Sequence, residues 1–160
     1  MGAGTDMWVN AGGEIGAKFA AVMDCKSHTN FISAMLKPPA SEDAEKYVLD
    51  FTNCTISEGQ TFESVMAGLS AWAAHQTDSG FQNSTYMMFP VFGESNNDYA
   101  FKLVEGHDNH TALGADYELM GNAGHWMKQR ELLSGLIDCD IPRVYDARTI
   151  RQWADDDAAE

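Results

Sequence analysis

Residues 84–92 read Ser-Thr-Tyr-Met-Met-Phe-Pro-Val-Phe, and this stretch predicts a β-strand with two apolar faces. Alternation places Tyr86, Met88 and Phe92 on one face and Met87, Phe89 and Val91 on the other. Helices backing a sheet on one side would leave one of these faces exposed to water. We therefore expect a partner subunit to cover the second face, which makes the chain a homodimer. Pro90 has no amide hydrogen to donate, so it predicts an edge strand or a bulge.

The segments on either side of this strand predict a helix and two further strands. Residues 47–56 alternate as a strand, and residues 99–104 form the third strand after a polar loop. Between the first two strands, Ser57 and Gln60 have the spacing of a capping box, which predicts a helix that continues to Asp78.

The last third of the domain predicts a broken helix and a closing strand. Residues 110–134 have helical spacing, but glycines weaken the middle and predict a break near Gly121. Residues 143–150 then form the last strand. The order β-α-β-β-α-β over residues 46–151 predicts an α+β fold, the ferredoxin-like sandwich.

Residues 1–40 predict an N-terminal helix-strand appendage that echoes the end of the domain. Asp24-Cys25 closes a helical run and precedes an extended segment, as Asp138-Cys139 does later. One interpretation is that the appendage is the remnant of a preceding repeat, truncated in its first half; the other is that the short matches arise by chance. Residues 152–160 predict an acidic tail.

Composition narrows the classes of partner and compartment. The formal net charge is −14, which opposes binding to nucleic acid and to anionic membranes. No apolar run approaches a membrane span, and no secretion signal is recognisable. Three cysteines without CxxC spacing indicate reduced, buried thiols. We therefore expect a cytoplasmic protein that binds no nucleic acid and no membrane.

The element order and the two-sided second strand resemble the dimeric α+β barrel superfamily, which includes antibiotic-biosynthesis monooxygenase-like and haem-degrading proteins. The resemblance covers residues 46–151 and implies a homodimer with a small hydrophobic or aromatic ligand between sheet and helices. Haem-degrading members use an Asn on the first strand with a His and a Trp from the later half. Asn53 matches that type and element, whereas His125 and Trp126 are adjacent and point about 100° apart on a helix.

The predicted ligand-binding residues are therefore Asn53, Tyr86, His125 and Trp126. The alternative is structural: Trp126 lies in the core, His125 faces solvent and Asn53 satisfies a buried polar position. No catalytic residue is assigned, and we expect no cofactor.

Residues 107–110 read His-Asp-Asn-His and contain metal-ligating residue types. A loop without a distant third ligand holds a metal poorly, and Asn109 could instead cap the following helix. Capping is favoured, and no metal is expected. Two functions stay open: a small-molecule-binding protein, with cofactor-independent monooxygenase-like activity if it is an enzyme, or a non-catalytic assembly module whose sheet face only mediates oligomerisation.

Overall fold

The computed structural model describes residues 12–24, 29–39, 46–93 and 98–150. This part of the chain forms an α+β fold with four helices and a six-stranded antiparallel sheet. The helices are α1 (Gly13–Ala20), α2 (Phe62–Asp78), α3 (His110–Gly121) and α4 (His125–Leu133). The strands are β1 (Thr29–Lys37), β2 (Lys46–Ile56), β3 (Ser84–Gly93), β4 (Phe101–His107), β5 (Ile137–Cys139) and β6 (Arg143–Arg148).

The sheet has the order β1-β3-β4-β2, and the outer edge of β2 is shared by β5 and β6. β5 pairs with residues 54–56 of β2, whereas β6 pairs with residues 46–51. Because β1 covers β3, the proline at position 90 does not lie on an edge strand. The register shifts where Phe31 meets Pro90, which confirms the bulge and takes Phe92 out of alternation with Met88.

The core lies on one side of the sheet, beneath α2 and α4. Val65, Leu69 and Trp72 of α2 pack with Met87 and Phe101 of the sheet, and all five are almost fully buried. Gly68 permits the close approach of α2 to the end of α4, because a Cβ there would lie 2.6 Å from Leu136 Cδ1. We call this side of the sheet the helix face and the other side the open face.

The start of α2 differs from the sequence prediction. Thr61 is the N-cap, and it exchanges two hydrogen bonds of 3.2 Å with Ser64 in a capping box. The prediction of a Ser57–Gln60 box is wrong, because Gln60 N donates to Ser57 O and residues 57–60 form a turn ahead of the helix. The predicted break between α3 and α4 is confirmed, and Gly124 occupies it with φ 80°, a left-handed conformation that favours glycine.

The N-terminal segment adds one strand to the sheet. β1 pairs antiparallel with β3, which confirms that residues 29–37 are extended and paired with a sheet edge. α1 forms a helix, and none of its residues is buried. Cys25, residues 1–11 and the predicted acidic tail lie outside the described residues. The repeat interpretation therefore stays a prediction.

Cys54 and Cys139 are joined by a disulfide bond, with sulfur atoms 2.08 Å apart. They lie directly opposite each other in the β2–β5 register. The expectation that these two thiols are reduced is wrong, because β5, which the sequence did not predict, brings Cys139 beside Cys54. The bond also removes the cysteine-based reason for expecting a cytoplasmic protein, since stable disulfides are typical of oxidising compartments.

Candidate functional site

A cavity of about 610 Å³ lies between the helix face of the sheet and helices α3 and α4. Its floor consists of Asp50 and Thr52 from β2 with Leu103 and Glu105 from β4. The apolar part of its wall consists of Met120, Trp126, Leu133, Ile137 and Pro142. The remaining lining is polar and consists of Tyr117, Gln129, Arg130, Ser134, Cys139 and Asp140. The lining thus combines apolar and polar side chains, and two carboxyl groups lie on its floor.

Asp50 is a buried carboxyl group with weak hydrogen bonding. Its side chain lies on the helix face together with those of Val48 and Cys54, because alternate residues of a strand share a face. Asp50 is only 5 % exposed. Tyr117 Oη donates to Asp50 Oδ2 over 3.4 Å, and Thr52 Oγ1 donates to Asp50 Oδ1 over 3.5 Å. Both contacts are longer than an ordinary O–H···O bond. Burial raises the pKa of Asp50, and the bonds from Tyr117 and Thr52 offset this only in part.

Glu105 lies beside Asp50 and anchors a network of neutral side chains. Gln76 Nε2 and Asn83 Nδ2 both donate to Glu105 Oε1 over 3.0 Å. Thr85 completes the network by donating to Gln76 Oε1 and accepting from Asn83 Nδ2. Burial raises the pKa of Glu105, and the nearby negative charge of Asp50 adds to that effect. The network holds the carboxyl group in place without supplying a positive charge.

Behind Glu105 lies a second set of buried ionisable groups. His107 Nδ1 is 3.3 Å from Asp116 Oδ2, and both side chains are almost fully buried. The angle is unsuited to a hydrogen bond, and His107 Nε2 has no partner among the described residues. Asp116 accepts from the backbone amides of Gln82 and Asn83. Lys37 Nζ donates to the carbonyl oxygens of Phe81 and Asn83, and burial lowers its pKa.

Of the four predicted ligand-binding residues, Asn53 and Tyr86 lie on the open face. Because side chains alternate along a strand, Asn53 points to the other face from its buried neighbour Cys54. Lys102 Nζ donates to Asn53 Oδ1 over 2.6 Å. Asn53 N also donates to Asp140 Oδ1 over 2.8 Å. Tyr86 pairs with Val104 in the β3–β4 register and is half-buried. Neither side chain lines the cavity.

His125 and Trp126 lie on the helical side, where their side chains diverge as predicted. His125 Nδ1 is 2.9 Å from His75 Nε2 on α2, and its ring contacts that of Phe81 edge-on. Trp126 lines the cavity and is 48 % exposed at its mouth. The structure therefore brings only Trp126 to the cavity, and it separates the four residues into three places. Their role in ligand binding stays a prediction.

The His-Asp-Asn-His segment is dispersed in the structure. Asn109 is the N-cap of α3, and its side chain accepts from Ala112 N over 2.9 Å, which confirms the capping interpretation. His107 points into the buried polar set, whereas His110 is exposed and contacts Asp146. In the described ranges, no group of three or more His, Cys, Asp or Glu side chains is arranged to hold a metal ion.

Searches against protein-family descriptions, curated proteins and solved structures gave no match to this chain. Within residues 12–150, apart from the gaps named above, no helix is long and apolar enough to cross a membrane.

Sequence analysis did not single out Asp50, Tyr117 or Glu105 as ligand-binding residues. The available signal was an acidic residue at an alternate position among Val48, Thr52 and Cys54, on what proved to be the buried face. That signal becomes informative only once the helices are known to cover this face rather than the other one.

Proposed function

We propose that this chain binds a hydrophobic or aromatic small molecule in the cavity between the sheet and helices α3 and α4. The cavity itself carries the proposal. At about 610 Å³ it falls within the size range of small-molecule sites. The apolar residues of its wall would contact the apolar surface of a ligand, and two carboxyl groups lie on its floor. Carboxyl groups with raised pKa values in a cleft are also typical of functional sites.

The fold supports the same proposal at the level of analogy. Residues 46–148 have the order β-α-β-β-α-α-β-β, which reduces to β-α-β-β-α-β when α3 with α4 is counted as one broken helix and the three-residue β5 is set aside. The sheet order β3-β4-β2-β6 is consistent with a ferredoxin-like sandwich. Membership of the dimeric α+β barrel superfamily and a cofactor-independent monooxygenase-like activity are extensions of this analogy, because a fold does not carry its function with it. If the protein is an enzyme, Asp50, Glu105 and Tyr117 are the groups placed to orient or protonate a ligand.

The test is a cavity-filling substitution with a matched control. Thr52→Phe places a ring on the cavity floor, whereas Thr55→Phe places the same ring on the same strand at an exposed position of the open face. Neutral aromatic alcohols such as phenethyl alcohol are added, and thermal unfolding is followed. We expect ligand-dependent stabilisation of the wild type and Thr55→Phe but none of Thr52→Phe. No stabilisation of the wild type by any aromatic compound would contradict the proposal.

A second candidate function is a non-catalytic assembly module in which the open face packs against a second copy of the chain. The open-face strand positions combine apolar and aromatic side chains with a few cations. These residues are Phe31, Met35, Leu49, Phe51, Tyr86, Met88, Lys102, Val104, Arg143 and Tyr145. Among the described residues, the open-face positions of β1, β2, β3, β4 and β6 carry no carboxylate, although the chain has a net charge of −14. Negative charge on this face is confined to the β5 end, where Asp138 pairs with Thr55 and Asp140 accepts from Asn53. Charge therefore does not oppose self-association over the other strands.

The two candidates differ in where the chemistry lies. In the first, ligand binding depends on the helix face and survives disruption of any dimer. In the second, the cavity is a packing defect without a ligand, and only the oligomeric state responds to changes on the open face. A homodimer, formed with a second copy of this chain, is compatible with both candidate functions.

A further inference from the structure

We propose that the ligand of the cavity is an organic amine with an apolar aromatic body, whose ammonium group lies between Asp50 and Glu105. This inference rests on the proposed function and names the chemical class of its ligand. It is carried by the unmet hydrogen-bonding capacity of the two floor carboxyl groups, by their register and by the aromatic side chains above them.

Asp50 lacks strong donors although it is 5 % exposed. An ionised carboxylate can accept about four hydrogen bonds. Asp50 receives two, of 3.4 and 3.5 Å, and both come from neutral hydroxyl groups. Buried charges in proteins are ordinarily paired or strongly hydrogen-bonded. The cavity is the direction from which a missing donor could reach this carboxyl group.

Glu105 is similarly incomplete. Both of its hydrogen bonds, from Gln76 and Asn83, end on Oε1. Among the described residues, no side chain or amide donates to Oε2, and no lysine or arginine makes an ion pair with either floor carboxyl group. Lys37 interacts with Glu105, and Arg143 with Asp50, only from beyond ion-pair distance. Neither acid therefore has a cation in direct contact, and the ammonium group of a ligand would supply one.

The spacing of the two acids suits a single ammonium group. Asp50 and Glu105 are direct partners in the antiparallel β2–β4 register. Side chains at such positions have Cβ atoms about 5 Å apart on one face of the sheet. An ammonium group has three donors and can bridge both carboxylates. A carboxylate or phosphate ligand would instead meet like charge on the floor.

The side chains of the cavity wall suit a ligand with an apolar aromatic body. Trp126 and Tyr117 provide aromatic rings, and Leu103, Met120 and Leu133 provide aliphatic surface. Aromatic rings attract cations and stack on other rings. Arg130 also lines the cavity, but it is exposed, so its charge lies at the solvated mouth. An amine on a short linker from an aromatic ring would place its charge on the floor and its ring against this wall.

Amine binding should also depend on pH, because the ammonium group pairs with ionised carboxylates. The other ionisable groups that face the two acids come from α3, α4 and four strands or strand ends. They are His107, Asp116, Tyr117, Arg130, Lys37, Asp140 and Arg143. As the pH falls through the raised pKa values of Asp50 and Glu105, protonation removes the negative charge, and amine affinity should fall.

The experiment compares three ligands of nearly identical shape by isothermal titration calorimetry on the full chain. The ligands are phenethylamine, phenethyl alcohol and hydrocinnamate, which end in an ammonium, a hydroxyl and a carboxylate group. We expect the amine to bind at least tenfold more tightly than the alcohol, and the carboxylate to bind most weakly. Glu105→Gln should lower the preference for the amine over the alcohol about tenfold, because glutamine still accepts from Gln76 and Asn83 but carries no negative charge. Asp50→Asn provides an independent second variant.

The outcomes separate this inference from the proposed function. Alcohol binding that equals or exceeds amine binding, and that Thr52→Phe abolishes, overturns the amine inference but leaves the cavity as a ligand site. Preferred amine binding that survives both Glu105→Gln and Asp50→Asn also overturns it, because the charge of the floor is then irrelevant. Failure of all three compounds to bind contradicts the proposed function as well.

Discussion

Asp50 and Glu105 face each other across strands β2 and β4, on the side of the sheet that the helices cover. Two acidic side chains at directly opposed positions repel each other when both are ionised. Burial is the main reason that both pKa values lie above those of ordinary carboxyl groups, and the charge of Asp50 adds to the elevation at Glu105. The sheet thus carries a destabilised acidic pair at the floor of the cavity beneath α3 and α4.

This pair predicts that the protein loses stability as the pH rises. The pKa of Glu105 is higher in the folded state than in the unfolded state. Its contribution to the free energy of unfolding is therefore complete at pH values below the unfolded-state pKa and is lost as the pH rises through the folded-state pKa. Each unit of elevation corresponds to about 1.4 kcal/mol. Urea unfolding at a series of pH values should show this decline in the wild type and a smaller one in Glu105→Gln. An unchanged pH profile in the variant would contradict a raised pKa at this residue.

The disulfide predicts a large dependence on redox conditions. The bond closes a segment with a sequence separation of 85 residues between Cys54 and Cys139. Loss of a native disulfide typically costs about 2–5 kcal/mol, with longer loops toward the upper end. A reductant should therefore lower the unfolding temperature of the wild type. The variant with both Cys54→Ala and Cys139→Ala is the control, and it should be less stable and insensitive to reductant. Equal stability of the wild type with and without reductant would show that the bond does not form.

The turn between α3 and α4 predicts opposite effects for two glycine substitutions. Gly124 has φ 80°, so Gly124→Ala should destabilise the protein by about 1 kcal/mol or more. Gly121 ends α3 without a positive φ, and a Cβ there would meet nothing within 4 Å. Gly121→Ala should therefore stabilise the protein by up to about 1 kcal/mol. Urea unfolding of both variants measures the difference, and stabilisation by Gly124→Ala would contradict the left-handed turn.

The open face predicts self-association that an acidic substitution disrupts. Met88 is half-buried on that face, and Met88→Asp would bury a charge in any interface formed there. The control is Met127→Asp on α4, where the side chain is 58 % exposed and does not line the cavity. Light scattering over a range of concentrations should show a dimer for the wild type and Met127→Asp but a monomer for Met88→Asp. A wild type that is monomeric throughout would exclude the dimer.

The elements that the sequence predicted well are those whose hydrophobic spacing is local. β2, β3 and the break between α3 and α4 follow from alternation or from glycine. β5 was missed because Leu136 and Ile137 looked like the last turn of a helix, and three residues carry too little pattern. The disulfide was missed for the same reason, since its geometry depends on the register of β5 with β2.

The candidate site was harder to predict because it depends on which face of the sheet is covered. Asn53 and Asp50 are three residues apart on one strand, and alternation alone assigns them to opposite faces without saying which face holds the cavity. The superfamily resemblance favoured Asn53, whereas the packing of α3 and α4 selects Asp50. Glu105 lies just before the His-Asp-Asn-His segment, and nothing in its local sequence indicates a buried carboxyl group. Its hydrogen-bond donors, Gln76 and Asn83, are distant in sequence and are brought to it only by the fold.

The most direct test of the account is to locate a bound ligand by heteronuclear NMR. Phenethylamine is titrated into the isotopically labelled protein, and chemical-shift changes are mapped onto the two faces of the sheet. We predict that the largest changes fall on the Trp126 indole and the methyl groups of Leu103 and Leu133, which line the cavity. Open-face residues such as Phe51 and Tyr145 should change little. Shifts concentrated on the open face, or no shifts at saturating ligand, would contradict the claim that the cavity is the functional site.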